Sequence, residues 1–183
     1  NKLGVKTKLI TGRSNLPPLS GLKVKKIISA KEMLDEVKRS IPVDIAICAA
    51  AVSDFKPLIK KKNKIKKSSL NSEYVKFEKN HDILDFISKN NNARPKMVVG
   101  FSAETENVIL NSKKKIKEKY CDLIVANDVS KKDKGFNSEY NQVSIIDKKG
   151  VVKSIPKSKK SYIANILVKI ILDRLLISEK NIN

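Results

Sequence analysis

Apolar and polar residues alternate along this chain in short blocks that predict strands and helices in turn. Apolar runs of strand length occupy residues 8–12, 22–29, 43–52, 74–78, 96–101 and 123–126. Between them, residues 29–41, 80–89 and 107–120 repeat apolar positions with helical spacing. The run at 43–52 is almost wholly apolar, which is typical of a central parallel strand that is buried on both faces.

The last third of the chain has a different pattern. Residues 142–147 and 151–155 flank a Lys-Lys-Gly turn and predict a hairpin, and residues 158–178 carry the apolar stripe of a final helix. The whole pattern predicts an α/β fold: a Rossmann-like, doubly wound, mainly parallel sheet with helices on both faces and a C-terminal hairpin plus helix. We expect residues 1–183 to form a single domain. Residues 56–73 are rich in Lys, Ser and Asn and predict a mobile loop, a lid or a linker.

The charge of the chain, +20, points to anionic ligands. Only four of its 39 basic residues are Arg, so 35 are Lys. Specific readers of nucleic acids favour Arg, and the few aromatic residues form no stacking platform, so we expect no specific nucleic-acid partner. The sequence contains no apolar run of about 20 residues and no signal-peptide pattern, so we expect no membrane partner and a cytoplasmic location. Cys48 and Cys121 lie in predicted buried strands and are expected to be free thiols in a reducing compartment.

Two predicted strands end in polar residues. One reaches Gly100 and then a hydroxyl and acidic cluster at 102–105, and the other ends in Asn127 and Asp128. Because ligands bind at the carboxyl ends of strands in open α/β sheets, this pattern predicts a small-molecule site. The sequence has neither a G-x-G-x-x-G string nor a G-x-x-x-x-G-K-[ST] string. The sequence has one His and two scattered Cys, which are too few and too widely spaced for the usual ligands of a zinc site.

Four strings occur in a fixed order along the chain: AAAVSDFKP at 49–57, KIKK at 64–67, VGFSAET at 99–105, and DLIVAND at 122–128 with GFN at 135–137. In order and spacing, over nearly all 183 residues, they resemble the phosphopantothenate–cysteine ligase family. In most bacteria that family forms the C-terminal half of a bifunctional coenzyme A biosynthesis flavoprotein.

The resemblance implies a reaction and its partners. The family activates 4′-phosphopantothenate with a nucleoside triphosphate, usually CTP, and forms an acyl-cytidylate and pyrophosphate. Cysteine then attacks to give 4′-phosphopantothenoylcysteine and CMP. Mg²⁺ assists and the enzyme is a homodimer; FMN belongs only to a fused decarboxylase domain that is outside these 183 residues. The sequence leaves the preference for CTP over ATP open.

The resemblance also implies a set of CTP-binding residues: Cys48, Ala49, Ala50, Asp54, Lys64, His81, Asp82, Ile83, Leu84, Phe101, Lys115 and Lys119. Lys64 is also the expected catalytic residue, because its charge can offset the charge that develops on the leaving pyrophosphate. Phe101 can pack on the cytosine ring, and Lys115 and Lys119 share one helix face. Asn127 and Asp128 are expected to have a structural or substrate-side role, and no residue is assigned to the metal.

Taken alone, each of these residues has a simpler interpretation: the lysines are solvated surface charges, Phe101 belongs to the core, and Asp54 is a turn residue. The family also carries a Gly-Gly-Thr turn and an Ile-Ser-Asn…Ser-Ser-Gly-Lys-Met-Gly stretch that supplies its main catalytic Asn, and neither occurs in this sequence. The resemblance therefore implies a ligase domain without its first strand and helix. The alternatives are a non-catalytic nucleotide- or polyanion-binding fragment and a Lys-rich protein associated with nucleic acid.

Overall fold

The computed structural model describes residues 3–14, 17, 20–59, 75–90, 92–130 and 138–180. Its elements, in chain order, are β1 (Lys8–Thr11), β2 (Lys23–Lys26), α1 (Ala30–Ser40), β3 (Ile45–Cys48), β4 (Phe55–Pro57), β5 (Phe77–Lys79), α2 (Ile83–Ser88), β6 (Met97–Glu104), α3 (Val108–Lys119), β7 (Leu123–Asp128), β8 (Tyr140–Ile146), β9 (Val151–Lys159) and α4 (Lys160–Lys180). By contacts the chain divides into two compact units, Asn1–Arg39 with Ala50–Asp82, and Ser40–Ala49 with Ile83–Asn183.

The first unit contains two small sheets. Strands β1 and β2 are parallel, and β4 pairs with β5 in antiparallel register. The start of α1 has a capping box, because Glu32 N donates to Ser29 Oγ at 3.2 Å and Ile28 N donates to Glu32 Oε2 at 3.0 Å. Lys8 Nζ lies 2.6 Å from Glu36 Oε1, which ties β1 to α1 and lowers the pKa of Glu36.

The second unit contains a five-stranded mixed sheet in the order β3-β6-β7-β8-β9. The first three strands are parallel, and β8 and β9 add the predicted antiparallel hairpin. One face of the sheet packs on α4 through a core of Met97, Val99, Leu123, Val125, Val143, Ile145, Ile155, Ile163, Leu167 and Ile171. Helix α2 contacts β3 and β6, and helix α3 contacts β6, β7 and β8. The α/β, Rossmann-like class is therefore confirmed.

The expectation that residues 43–52 form a central strand buried on both faces is wrong. Only Ile45–Cys48 is a strand, it stands at one end of the sheet order, and Ile47 is 47% exposed. The central strand is β7, in which Leu123 and Val125 are fully buried. An apolar run indicates that a segment can be buried, but it does not specify which strands lie beside it.

Two smaller expectations also need correction. Strand β6 continues through the polar cluster to Glu104 and does not end at Phe101. Cys48 is only half-buried, and Cys121 is fully buried but lies just before β7. Cys121 is a free thiol, and burial raises its pKa to about 11.

The β8–β9 turn is fastened to α4 by one carboxylate. Asp147 accepts hydrogen bonds from Arg174 Nη2 at 2.5 Å and from the backbone N–H of Lys149 and Gly150 at 2.8 and 3.0 Å. Partial burial acts to raise the pKa of Asp147, but these hydrogen bonds outweigh burial and the pKa lies below its usual range. Among the described residues, no helix is both long and apolar enough to cross a membrane.

Candidate functional site

The carboxyl ends of the three parallel strands meet along one edge of the five-stranded sheet, which we call the carboxyl edge. It is formed by the ends of β3, β6 and β7 at Cys48, Glu104 and Asp128. Strand register places Cys48 beside Gly100, and Glu104 beside Asp128. The structure therefore gathers strand-end polar groups as the sequence predicted, and the carboxyl edge is the place where this topology binds ligands.

Gly100 allows α2 to lie directly on β6. A Cβ atom at this position would lie 2.8 Å from Leu84 Cδ2, so the glycine is required by close packing. Leu84 and Ile83 are two of the predicted CTP-binding residues. Leu84 is partly buried and Ile83 is buried. Their side chains therefore serve packing, and only backbone atoms in this turn are suited to a ligand.

The sheet separates two groups of predicted CTP-binding residues. Phe101 packs partly buried against the core on the α4 face. Lys115 and Lys119 lie on α3, which covers the opposite face, where Ser102 Oγ and Ser112 Oγ are 3.0 Å apart in a buried hydrogen bond. The structure therefore does not bring Phe101 and these lysines together on one face of the sheet.

Lys119 also stands far from the carboxyl edge. It ends α3, and the helix carries the chain back to the start of β7. Arg94, which precedes β6, donates to the backbone O of Tyr120, the residue after Lys119. Lys119 Nζ lies 3.9 Å from Asp85 Oδ1, so an acidic side chain already offsets part of its charge.

The β4–β5 pair gathers a further group of predicted residues within the first unit. Asn80 N donates to Asp54 O at 2.8 Å, and Asn80 Nδ2 donates to Ser53 O at 2.8 Å. This places Asp54 across from the segment that leads to His81. The side chains of Ala50, Asp54, His81 and Asp82 are exposed, while Ala49 in the second unit is exposed and Cys48 is half-buried. Lys64 and the GFN string at 135–137 lie outside the described residues.

From the sequence, Glu104 is a member of the hydroxyl and acidic cluster with no individual role, and the structure places it beside Asp128 at the carboxyl edge. Asn111 Nδ2 donates to Glu104 Oε2 at 3.3 Å, and Ser130 Oγ donates to Asp128 Oδ1 at 2.6 Å. The strict alternation of apolar and polar residues after Gly100 was the available signal that β6 continues to this point. The part of the chain that the structure describes contains no group of three or more His, Cys, Asp or Glu that could hold a metal ion.

The sequence matches the family described as DNA/pantothenate metabolism flavoprotein C-terminal domain over residues 1–175. The coenzyme A biosynthesis bifunctional protein CoaBC of Borreliella burgdorferi is 40% identical over 172 residues, which are 93% of this chain and 43% of that protein. The protein of the same name from Vibrio vulnificus is 34% identical over 170 residues, which are 92% and 42% of the two chains.

A crystal structure of the C-terminal domain of the bifunctional protein CoaBC superposes with a TM-score of 0.76 and 28% identity. The superposition covers 95% of this chain and 76% of that one. The chain spans less than half the length of the two curated relatives above. On the extent of the family match and the identity to these relatives, this chain belongs to the DNA/pantothenate metabolism flavoprotein C-terminal domain family.

Proposed function

We propose that this chain is a phosphopantothenate–cysteine ligase domain, which joins 4′-phosphopantothenate to cysteine in coenzyme A biosynthesis and uses CTP to activate the acid. The observation that carries the proposal is the family match over residues 1–175. Three of the family-like strings, at 49–57, 99–105 and 122–128, directly follow or end the three parallel strands. The strings at 99–105 and 122–128 therefore include the strand ends where this topology places ligands.

The proposed reaction has two steps. The carboxylate of 4′-phosphopantothenate attacks the α-phosphorus of CTP, an acyl-phosphate bond forms, and pyrophosphate leaves with the electrons of the broken P–O bond. The amine of cysteine then attacks the acyl carbon, an amide bond forms, CMP leaves and the amine loses a proton. The protein's main contribution would be to hold the two reactants in line and to stabilise the charge on the leaving groups.

The proposed roles of residues follow from charge and position. Lys64 holds the triphosphate and stabilises the leaving pyrophosphate. Phe101, which is partly buried on the α4 face of β6, is proposed to pack on the base, and the small, exposed residues Ala49 and Ala50 after β3 are proposed to allow close approach of the ribose. Because α3 ends away from this edge, Lys119 is the predicted contact that the geometry supports least.

Mg²⁺ is proposed to accompany the nucleotide. In proteins this ion is commonly held by one or two carboxylates together with substrate phosphates. Glu104 and Asp128 lie side by side at the carboxyl edge and could supply those carboxylates, so the residues present fit a metal that arrives with CTP. When bound, Mg²⁺ would neutralise charge on the triphosphate.

Properties of a longer polypeptide are also proposals. The relatives above are bifunctional proteins of coenzyme A biosynthesis, and each is more than twice as long as the matched segment. We therefore extend the proposal to a fused FMN-dependent decarboxylase, a homodimer and a cytoplasmic location. The catalytic Asn that the resemblance implies is not among these 183 residues, and we propose that full activity needs the strand and helix that carry it.

The test measures both binding and turnover. Calorimetry with CTP and ATP, in the presence of Mg²⁺ and at moderate salt, would be done on this chain and on a version extended by the strand and helix that carry the whole Ile-Ser-Asn…Ser-Ser-Gly-Lys-Met-Gly stretch. We expect saturable CTP binding by both, and formation of pyrophosphate and 4′-phosphopantothenoylcysteine by the extended version. Weak binding of both nucleotides that fades with salt would instead favour a polyanion-binding fragment.

A matched pair of lysine variants sharpens the test. In the extended version, Lys64→Gln should reduce kcat by about 10²-fold, the usual loss when one stabilising group is removed from a transition state. Lys61→Gln makes the same charge change three residues away and should leave kcat within about threefold. Equal loss in both variants would mean that general charge, and not a specific contact, supports the reaction.

A further inference from the structure

A groove between helix α3 and the β8–β9 turn is lined mainly by lysines. Its volume is about 400 Å³. On α3 the lining positions follow the spacing i, i+3, i+4 and i+7, so they share one face of the helix, while Ser112 and Ile116 are buried on another. We call this space the lysine groove, and its lining residues are Leu110, Lys113, Lys114, Lys117, Asp147 and Lys148.

The ammonium groups of the lysine groove come from two separate elements. A Cβ atom placed on Gly150 would lie 4.0 Å from Lys113 Nζ, so this lysine of α3 extends over the β8–β9 turn. Lys148 belongs to the turn itself. The two elements therefore direct positive charge into one space, which a row of lysines along a single helix would not do.

The one acidic side chain among the described residues of this lining is already neutralised. Arg174 Nη2 lies 2.5 Å from Asp147 Oδ2, and Asp147 Oδ1 accepts hydrogen bonds from the backbone N–H of Lys149 and Gly150. Asp147 therefore has little charge left to offer to the lysines of the groove.

The lysines themselves are poorly paired. In the part of the chain that the structure describes, Lys113, Lys117 and Lys148 form no ion pair, and Lys114 lies 3.8 Å from Glu118 in an exposed pair. Like charges four residues apart on a helix repel each other, as Lys113 and Lys117 do here. An anion that entered the groove would relieve this repulsion.

The lysine groove lies at the opposite end of the sheet from the carboxyl edge. Ile146, which precedes the turn, pairs with Ile124 near the start of β7, whereas the carboxyl edge is formed by the end of the same strand at Asp128. The four residues of strand between Ile124 and Asp128 span about 13 Å. The groove is therefore a separate place from the carboxyl edge.

We propose that the lysine groove binds a compact polyphosphate, an anion of two or three linked phosphates, and that Lys113, Lys117 and Lys148 hold it. The ammonium group of lysine is a compact point charge with three donors, which suits phosphate oxygens better than the planar pairing of a single carboxylate. Several such groups around one small volume favour an anion whose charges lie close together. This inference goes beyond the ligase proposal and does not depend on it.

Calorimetry with inorganic tripolyphosphate at about 0.1 M salt tests the proposal on this chain. The double variant Lys113→Gln, Lys148→Gln should weaken binding by about tenfold. A matched double variant, Lys153→Gln, Lys169→Gln, removes the same two charges from exposed positions on β9 and α4 and should change the affinity by less than about twofold. Equal weakening in the two variants would overturn the inference, because the net charge alone would then attract the anion.

Acetylation of lysine amines followed by mass spectrometry locates the bound anion. Saturating tripolyphosphate should slow the modification of Lys113, Lys117 and Lys148 by at least about fivefold, and that of Lys153 and Lys169 by less than about twofold. Uniform slowing at all lysines would show a diffuse attraction and no site. Equal protection by orthophosphate at the same concentration would contradict the preference for linked phosphates.

The same variants keep this test apart from the test of the ligase proposal. Lys113→Gln, Lys148→Gln leaves the carboxyl edge intact and should change CTP affinity by less than about threefold. Absence of CTP binding in the unaltered chain would bear on the ligase proposal alone. Absence of tripolyphosphate protection at the groove lysines would refute the groove alone.

Discussion

Arg94 fastens the amino ends of two parallel strands to the helices beside them. Its guanidinium donates four hydrogen bonds of 2.9–3.0 Å, to the backbone oxygens of Ser88, Pro95 and Tyr120 and to Asp122 Oδ2. The same Asp122 oxygen accepts from Val98 N at 2.7 Å, so the carboxylate connects the start of β6 to the start of β7. Replacing Arg94 should loosen this connection without touching the carboxyl edge.

The expected magnitude follows from these contacts. All four bonds come from a charged guanidinium, and such bonds contribute about 1.5–3 kcal/mol each where they are shielded from water. The Arg94 and Asp122 side chains are 31% and 27% exposed, so each bond here contributes less than that and the ion pair contributes less than a buried pair. Water can replace part of what is lost, so Arg94→Met should reduce the free energy of unfolding by about 2–3 kcal/mol. For a chain of this size that corresponds to a fall in Tm of about 8 °C.

Urea unfolding followed by circular dichroism would measure this loss, with two comparison variants. Arg94→Lys keeps the charge but cannot reproduce the planar fork, so it should lose about 1–2 kcal/mol. Arg39→Met removes an Arg whose side chain is 68% exposed, and it should change stability by less than about 1 kcal/mol. If Arg94→Lys is as stable as the unaltered chain, the geometric reasoning is refuted; if Arg94→Met behaves like Arg39→Met, the four bonds contribute nothing.

Three further predictions concern packing, pH and thiol reactivity. Gly100→Ala should lower the free energy of unfolding by about 1–3 kcal/mol, because the added methyl group meets Leu84. The double variant Gly100→Ala, Leu84→Ala should lose less stability than the sum of the two single variants. If urea unfolding shows that the two losses add, the contact between these residues is contradicted. The pKa of Asp147 is lowered in the folded state, so the ionised carboxylate stabilises the fold. This contribution to the free energy of unfolding is complete above the unfolded pKa of about 3.9 and is lost as the pH falls through the folded pKa. The free energy of unfolding should therefore fall less steeply with decreasing pH in Asp147→Asn than in the unaltered chain. An unchanged slope would argue against that contribution. At about pH 8 the buried Cys121 thiol should resist a disulfide reagent while Cys48 reacts, and rapid labelling of two thiols in the folded chain would show that Cys121 is accessible.

Local signals in the sequence predicted most elements of this fold, because each is set by residues near one another. The helix α1, the β8–β9 hairpin and the helix α4 all follow from such signals. The position of β3 at the end of the sheet could not be read in the same way, since it depends on which strands pair over long distances. A run of apolar residues looks the same in an edge strand and in a central one.

The candidate site was predicted as a set of residues but not as an arrangement. The family resemblance implied both Phe101 and Lys119 as CTP-binding residues, yet the two residues lie on opposite sides of the sheet. Spacing along a helix shows which residues share a face, but not which face of the sheet that helix covers. Among the described residues the amide oxygen of Asn127 has no hydrogen-bond partner, and this feature has no signature in sequence because it depends on the neighbours that three strands bring to it.

The position of Lys119 at the far end of α3 determines how strongly its charge can act on a ligand at the carboxyl edge. Eleven residues separate it from the start of the helix at Val108, which is about 16 Å along the axis at 1.5 Å per residue. That is about two Debye lengths at physiological ionic strength, but only half of one at about 0.01 M salt. A triphosphate at the carboxyl edge would therefore be attracted by the charge of Lys119 in dilute buffer, but hardly at all at the ionic strength of the cell. In so basic a chain, the dependence of ligand affinity on ionic strength, more than on pH, therefore distinguishes long-range attraction by the net charge from a direct contact with one lysine.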